Sequence, residues 1–339
     1  MIEASHKFDV AAVVQPGGSA MNESTTSDSR HPRPFPPPWA NSWGDDRYGL
    51  WAQFELQVER QSVQQRMRWI EPGEFLMGGA EDEANRHENA PSQYPVIISQ
   101  GFWLADTACT QVLWQMLIND IPNYSSQNNG DGPENPVERV SWNRVQWFLQ
   151  ILQKSLPACH ATLPTEAEWE YACRAGSETP LSFGANRATD QENFNGNFPY
   201  AEGPAEQNLP PTLPVKALPA NPWGLYQMQG NVREFCVGSE FSESTDISHD
   251  PGLAQALQFV LGPLGPDWFG VARGGYINSV GESTRSSSRY FPTPNAGDSD
   301  FGFRFVFRQA GNGIPHDFLD PQERAQTEGR GDPFTEWSE

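Results

Sequence analysis

The sequence predicts an α+β fold that is loop-rich, with short strands and a few helices. Three observations carry that prediction. Thirty Gly and thirty Pro among 339 residues punctuate the chain too often for long elements. Only three windows place apolar residues at helical spacing. Strand-like alternation comes in short pieces around them.

Taken in order, residues 1–33 are rich in Ser, Thr, Asp and Gly and read as a disordered arm. PRPFPPPWANSWGDD (33–46) starts as polyproline and then offers two Trp as anchors. Residues 48–59 and 65–70 alternate and predict a β-hairpin that leads into EPGEFLMG, a turn followed by a strand. VIISQGFWLADTACT (96–110) is the next strand-like stretch. Helices are expected over QVLWQMLIND (111–120), WNRVQWFLQILQKSL (142–156) and TEAEWEYACRAG (165–176). The second has Val145, Phe148, Leu149 and Leu152 on one face. The third opens on a Thr165/Glu168 capping box and stops at Gly176. Residues 177–270 carry turns, short strands and Pro-rich connections, and the acidic tail 309–339 reads as flexible. Its Arg330-Gly331-Asp332 tripeptide is read as chance. One domain over 34–308 is expected between these ends.

The net charge of −21 excludes nucleic acid as a partner, since phosphate recognition needs a basic footprint, and speaks against anionic membranes. Cys109, Cys159, Cys173 and Cys236 are widely spaced and form no CxxC pair, so buried free thiols are expected. MIEASHKFDV lacks the basic start and apolar run of a secretory signal, and no apolar stretch is long enough for a bilayer span. A cytoplasmic location is the corresponding expectation.

Six phrases follow one another in family order. They are MRWIEPGEFLMGG (67–79), NPVERVSWNRVQWF (135–148), TLPTEAEWEYACRAG (162–176), NPWGLYQMQGNVREF (221–235), RGG (273–275) and GFRFV (302–306). Over about residues 50–308 the chain resembles the formylglycine-generating enzyme (sulfatase-modifying factor) superfamily, which implies its variant of the C-type lectin fold.

The resemblance divides by function. The formylglycine-forming branch holds copper(I) with two cysteines in the segment after RGG, a task for soft thiolates. The matching positions here are near Gly281 and Ser286, which implies loss of that activity. The sulfoxide-synthase branch binds iron through histidines, but His6, His31, His87, His160, His249 and His316 form no HxxxHxE cluster. The segment 273–304 most closely resembles the variable proteins of diversity-generating retroelements, whose variable region runs from RGG to GFR. In those proteins template adenines are copied as random bases, so Asn codons become codons that never encode Trp, Met, Lys, Gln or Glu. Residues 276–301 obey that restriction except at Glu282. Ordinary composition would put about five such residues there.

This resemblance implies a non-catalytic protein that binds a macromolecular ligand, a protein, through a diversified face, with no cofactor required for chemistry. The implied contact residues are Tyr276, Ile277, Asn278, Ser279, Val280, Ser283, Ser287, Ser288, Tyr290, Phe291, Pro292, Ala296, Asp298, Ser299 and Asp300. Glu282, Thr284, Arg285, Ser286, Arg289, Thr293 and Pro294 are the implied framework, with Arg285 and Arg289 reaching inward. Strands at 271–275 and 301–307 are expected to pair and hold the loop between them. The departure is the tail beyond the segment, longer than such proteins usually carry. The alternative is an oxygen-dependent oxidoreductase of the formylglycine-generating type, or an inactive relative of it.

The block GLYQMQGNVREF (224–235) matches a structural calcium site of the enzymes. Carried over, the ligands are the Gln227 side chain, the Gly230 and Val232 carbonyls and Glu234, with Gln227 standing where the family has Asn. The other reading of the same block is a left-handed turn at Asn231 with Glu234 paired to a basic side chain. A second family site near Asn193 and Phe194 is blurred by the Pro-rich stretch 203–214.

Overall fold

The computed structural model describes residues 30–58, 60–83, 93–119, 132–156, 158–184, 191–198, 212–238, 271–292 and 301–308. The remainder of the arm, 1–29, and the tail 309–339 lie outside them. Residues 30–33, assigned above to the arm, are tied to the domain. The indole N–H of Trp69 donates to the Arg30 carbonyl at 2.6 Å.

The fold is α+β with a mixed set of short strands and three helices among the described residues. The predicted hairpin forms from β2 (Gly49–Val58) and β3 (Gln61–Ile70), in antiparallel register from Trp51↔Arg68 to Val58↔Gln61. Its second strand begins four residues earlier than the alternation indicated. A strand the sequence did not announce, β1 (Ser42–Asp46), pairs with β2. SWGDD has weak intrinsic strand preference, and the neighbouring edge supplies the order.

EPGEFLMG yields β4 (Gly73–Met77), which pairs with β5 (Tyr94–Ile98) as a separate two-stranded sheet. The long stretch from 96 is therefore two strands, because Gly101 breaks it before β6 (Phe102–Ala105). Helix α1 (Gln111–Ile118) is capped by Thr110, and α2 (Trp142–Ser155) by Ser141. After β7 (Ala161–Thr162) comes α3 (Glu166–Arg174), whose Thr165/Glu168 capping box is present as expected. Its stop differs: Ala175 takes the left-handed conformation first, at φ 46°, and Gly176 follows at φ 87°.

The C-terminal part adds β8 (Arg233–Cys236), β9 (Val271–Arg273), β10 (Arg289–Tyr290), β11 (Phe301–Gly302) and β12 (Val306–Phe307). One sheet runs β1-β2-β3-β6-β12-β7 and another β10-β9-β8-β11. The strands at either end of residues 274–300 thus do not pair with each other. Both flank β8, with β9 antiparallel and β11 parallel to it.

The stretch 301–307 crosses between the two sheets. Alternation sends Phe301, Phe303, Phe305 and Phe307 into one core with Phe54, Trp114 and Phe148, while Arg304 points the other way. Trp114 stacks on Phe148 at 5.4 Å, and Phe303 meets both rings edge-on.

Candidate functional site

The segment that follows β9 is held from beneath by arginines. Arg273, fully buried, pairs with Glu170 and donates to the carbonyls of Ser286, Ser287 and Ser288 at 3.0, 2.9 and 2.8 Å. One guanidinium therefore fixes three consecutive peptides, a use its planar fork allows and a lysine would not. Arg289 returns from β10 to Glu166, which also lies 3.4 Å from Arg273. Arg285 bonds the Glu282 carbonyl and the Glu83 carboxylate, both at 2.8 Å. The inward direction expected of Arg285 and Arg289 is what the geometry has.

Helix α3 supplies the acids for this grip. Its nine residues are all buried, including Glu166, Glu168 and Glu170. Glu168 takes Arg308 on both oxygens, at 2.6 and 2.9 Å. Burial alone would raise the Glu170 carboxyl. Arg273, Arg174 and the Gly78 N–H outweigh it and hold the group below its ordinary range. For Arg289 burial works against the charge, and Glu166 overrides it and raises the pKa.

The two glycines of RGG are required by space as well as by backbone. Gly274 and Gly275 sit at φ 91° and 70°. A Cβ on Gly274 would lie 2.6 Å from the Met228 carbonyl, and one on Gly275 would lie 2.6 Å from Thr284. The turn thus packs against the very segment it introduces.

Above this base the segment folds as a turn, a 3-10 helix (Gly281–Thr284) and β10. Asn278, Val280, Tyr290 and Phe291 are exposed, while Tyr276, Ile277 and Ser283 are half-buried. Other expected contacts face inward. Ser279 is buried, and its hydroxyl accepts from the Tyr276 N–H at 2.9 Å. Pro292 is buried as well. Ser287 donates to Glu83 and Ser288 to the Glu282 carbonyl, at 3.1 and 2.6 Å. Ser279 and Pro292 are corrected from contact to framework, and the hydroxyls of Ser287 and Ser288 are engaged in holding the loop. Ala296, Asp298, Ser299 and Asp300 lie outside the described residues, as do Thr293 and Pro294.

Ser286 is fully buried under the segment. The Cys173 thiol donates to its hydroxyl at 3.6 Å, and its own peptide N–H donates to the Pro180 carbonyl at 2.8 Å. Burial pushes the Cys173 thiol up to about 12, as it does Cys159, and drives Cys109 and Cys236 well up too. All four cysteines are buried and free. Neutral thiols in these positions are poor nucleophiles and poor ligands.

The four residues matched to a calcium site do not fit one. Both Glu234 oxygens are occupied: Oε1 accepts from Arg304 at 2.8 Å, and Oε2 accepts from Arg304 at 2.6 Å and from the Trp169 indole at 2.7 Å. Gln227 Oε1 accepts from Asn231 at 3.2 Å, and Asn231 adopts the left-handed conformation at φ 67°. Gly230 and Val232 are buried beside them. Asn193 joins through its side-chain N–H donation to Asn231 at 3.2 Å. An amide network, which leaves Asn193 Oδ1 and Gln227 Nε2 buried without a hydrogen-bond partner, and an Arg–Glu pair stand where the cation's oxygens were expected. Among the described residues no group of three or more His, Cys, Asp or Glu could hold a metal.

Several positions escaped the sequence reading. Glu166 and Glu170 are spaced i,i+4 and so share a helix face toward RGG, a signal that was present. Glu83 and Glu192, the latter accepting from Thr284 Oγ1 at 3.3 Å, offer no local signal. Nor does Arg233, whose guanidinium lies 4.3 and 4.1 Å from the ring centres of Tyr276 and Tyr290. Phe198 is exposed beside the segment, its carbonyl accepting from the Gly281 N–H at 2.8 Å.

Comparison with known proteins matches residues 53–309 to the sulfatase-modifying factor enzyme 1-like domain. A serine/threonine-protein kinase pkn1 of Chlamydia caviae is 28% identical over 279 residues, which are 73% of this chain and 39% of that protein. The formylglycine-generating enzyme of Bos taurus is 31% identical over 181 residues, 51% of this chain and 44% of the enzyme. The chain thus spans less than half the length of these two curated relatives. Among solved structures, Treponema denticola variable protein 1 superposes with a TM-score of 0.57 at 22% identity, covering 76% of this chain and 99% of the other. Among the described residues no helix is long and apolar enough to cross a membrane.

Proposed function

The chain belongs to the sulfatase-modifying factor enzyme 1-like domain family, which has the formylglycine-generating-enzyme type of C-type lectin fold, and from that premise we propose that it is a non-catalytic binding protein. It presents the segment after Arg273 as a diversified face to a protein ligand, in the manner of the variable proteins of diversity-generating retroelements.

One observation carries this reading. The segment is fixed from below through buried Arg–Glu pairs, and the side chains it turns outward, Asn278, Val280, Tyr290 and Phe291, are not among the groups those pairs use. Residues on such a loop can change without unfolding the domain. Tyrosine and phenylalanine give large contact area for few rotatable bonds, and are the usual anchors of adaptable binding faces. The site matched to the reactive cysteines supports the same reading, since Gly281 and Ser286 offer no thiolate.

The test is genetic. The locus should contain a near-copy of the coding stretch for 273–306 that differs only at adenines, beside a reverse transcriptase. A locus with neither would defeat the proposal. The alternative, an oxygen-dependent oxidoreductase, has one observation in its favour, the Cys173 thiol beside Ser286. Stoichiometric copper(I) binding coupled to thiol consumption would establish that alternative. A thiol held near 12 predicts neither.

A further inference from the structure

Arg233 lies outside the segment, yet the sheet places it among the segment's aromatic rings. In β10-β9-β8-β11 it stands opposite Phe301, while Tyr290 stands opposite Ala272, whose other neighbour is Phe235. Alternation along β8 puts Arg233 and Phe235 on one face and sends Glu234 to the other, where it meets Arg304. Phe301 stacks on the fully buried Phe235 at 5.2 Å, and Tyr290 packs on Phe301 with ring centres 5.6 Å apart. Tyr276 reaches the same place from the far end of the segment. It opens the turn after RGG, its carbonyl accepting from the Ser279 N–H at 2.8 Å.

The Arg233 guanidinium lies over both tyrosines, 4.3 Å from the ring centre of Tyr276 and 4.1 Å from that of Tyr290. A planar cation is attracted to the face of each ring, so a ring at either position holds it where it suits the other. Groups that share one partner are coupled, and their substitutions do not add. The partner here belongs to β8 and stays the same when residues 276 and 290 change.

Resting on the binding function proposed above, we propose that Arg233 is a positioning residue that determines specificity by joining positions 276 and 290 into one composite contact. A ring at one position favours a ring at the other, and the two meet a ligand as a single surface.

Two experiments test this on the full chain. The first needs no ligand. With 13C-labelled tyrosine rings, Tyr290→Ser should shift the Tyr276 resonances, and Tyr276→Ser those of Tyr290. Arg233→Met keeps a long side chain without the guanidinium and should abolish that transfer with the fold intact by circular dichroism. Arg233→Lys, which keeps the charge but not the planar group, serves the same comparison if the methionine variant does not fold. The second experiment displays the chain with positions 276, 277, 278, 280, 290 and 291 randomised, in the Arg233 and Arg233→Met backgrounds, and selects on hen lysozyme as a folded protein probe. Rings at 276 and 290 should occur together about threefold more often than their separate frequencies predict, and the excess should vanish with Arg233→Met. Independent variation at the two positions, or shift transfer that survives loss of the guanidinium, would overturn the coupling and leave the binding function standing. No binder in either background, with the shift transfer present, would overturn the binding function and the specificity role with it, while the coupling would stand.

Discussion

The underside and the outer surface of the segment 273–292 are built on opposite principles. Beneath, Arg273 and Arg304 are paired with Glu170 and Glu234 out of contact with solvent, and the half-buried Arg289 is paired with Glu166. Outside, a few apolar and aromatic side chains stand in solvent. A buried ion pair is expensive to form and more expensive to break, because removing one partner strands a charge. An exposed side chain costs little either way. The contrast is what the proposed function requires of a loop that is to be stringent in its backbone and permissive in its identity. The constraint is spent on main-chain carbonyls and on Arg273, Arg285 and Arg289, whose ion pairs do not involve the outward side chains; Tyr290 alone of these rests on another arginine, Arg233.

That contrast can be broken or sharpened at four levels. The largest effect is expected at Arg304→Ala, which leaves Glu234 buried with only the Trp169 indole as donor. A loss of about 3–5 kcal/mol is expected in urea unfolding followed by circular dichroism. A loss under 1 kcal/mol would mean that the pair is not structural.

Acid comes next. The Glu170 pKa is depressed in the folded state, so its contribution is complete above the unfolded value of about 4.3 and is lost as pH falls through the lower folded value. Melting temperature should drop through that window. Glu170→Gln should be less stable at neutral pH, with a flatter acid dependence.

On the outer side, Phe291→Ser should shift stability by no more than about 0.5 kcal/mol. Tyr290→Ser, which gives up its tilted ring contact with Phe301 and its contact with the Arg233 guanidinium, should cost about 1 kcal/mol. A Phe291→Ser cost as large as that of Arg304→Ala would erase the distinction between the two sides. Smallest of all is the effect of a chelator. Melting with and without EDTA should give the same temperature, since Glu234 is committed to Arg304. A stabilisation that calcium restores would revive the cation site.

Much of this was legible in the chain, for reasons that differ by element. Helix α3 announced itself because a capping box is a local rule, with donor and acceptor three residues apart. The inward arginines were legible through the family pattern. β1 was not, because SWGDD has no strand preference of its own. The pairing of β9 and β11 through β8 was hidden, since the partner strand lies far back in sequence and no short-range pattern encodes it. Ser279 and Pro292 look like surface residues by type, and only the fold reveals that one caps a turn and the other is covered. The calcium ligands were a carry-over by position from the family block, with Gln227 standing where the family has Asn. The geometry has the other reading of that block, a left-handed turn at Asn231 with Glu234 paired to a basic side chain, Arg304.

The crossing stretch at 301–307 has a consequence for biosynthesis. β12 is an interior strand of the six-stranded sheet, between β6 and β7, yet it leaves the ribosome after the whole of residues 274–300. Neither sheet can close until that segment has been made and has let the last strand through. A substitution within 274–300 that keeps the chain from crossing would leave two open sheets for proteases to find. Chains truncated before Phe301 should accordingly be degraded rapidly in cells, while full-length chains altered only at Asn278, Val280 or Phe291 should accumulate normally.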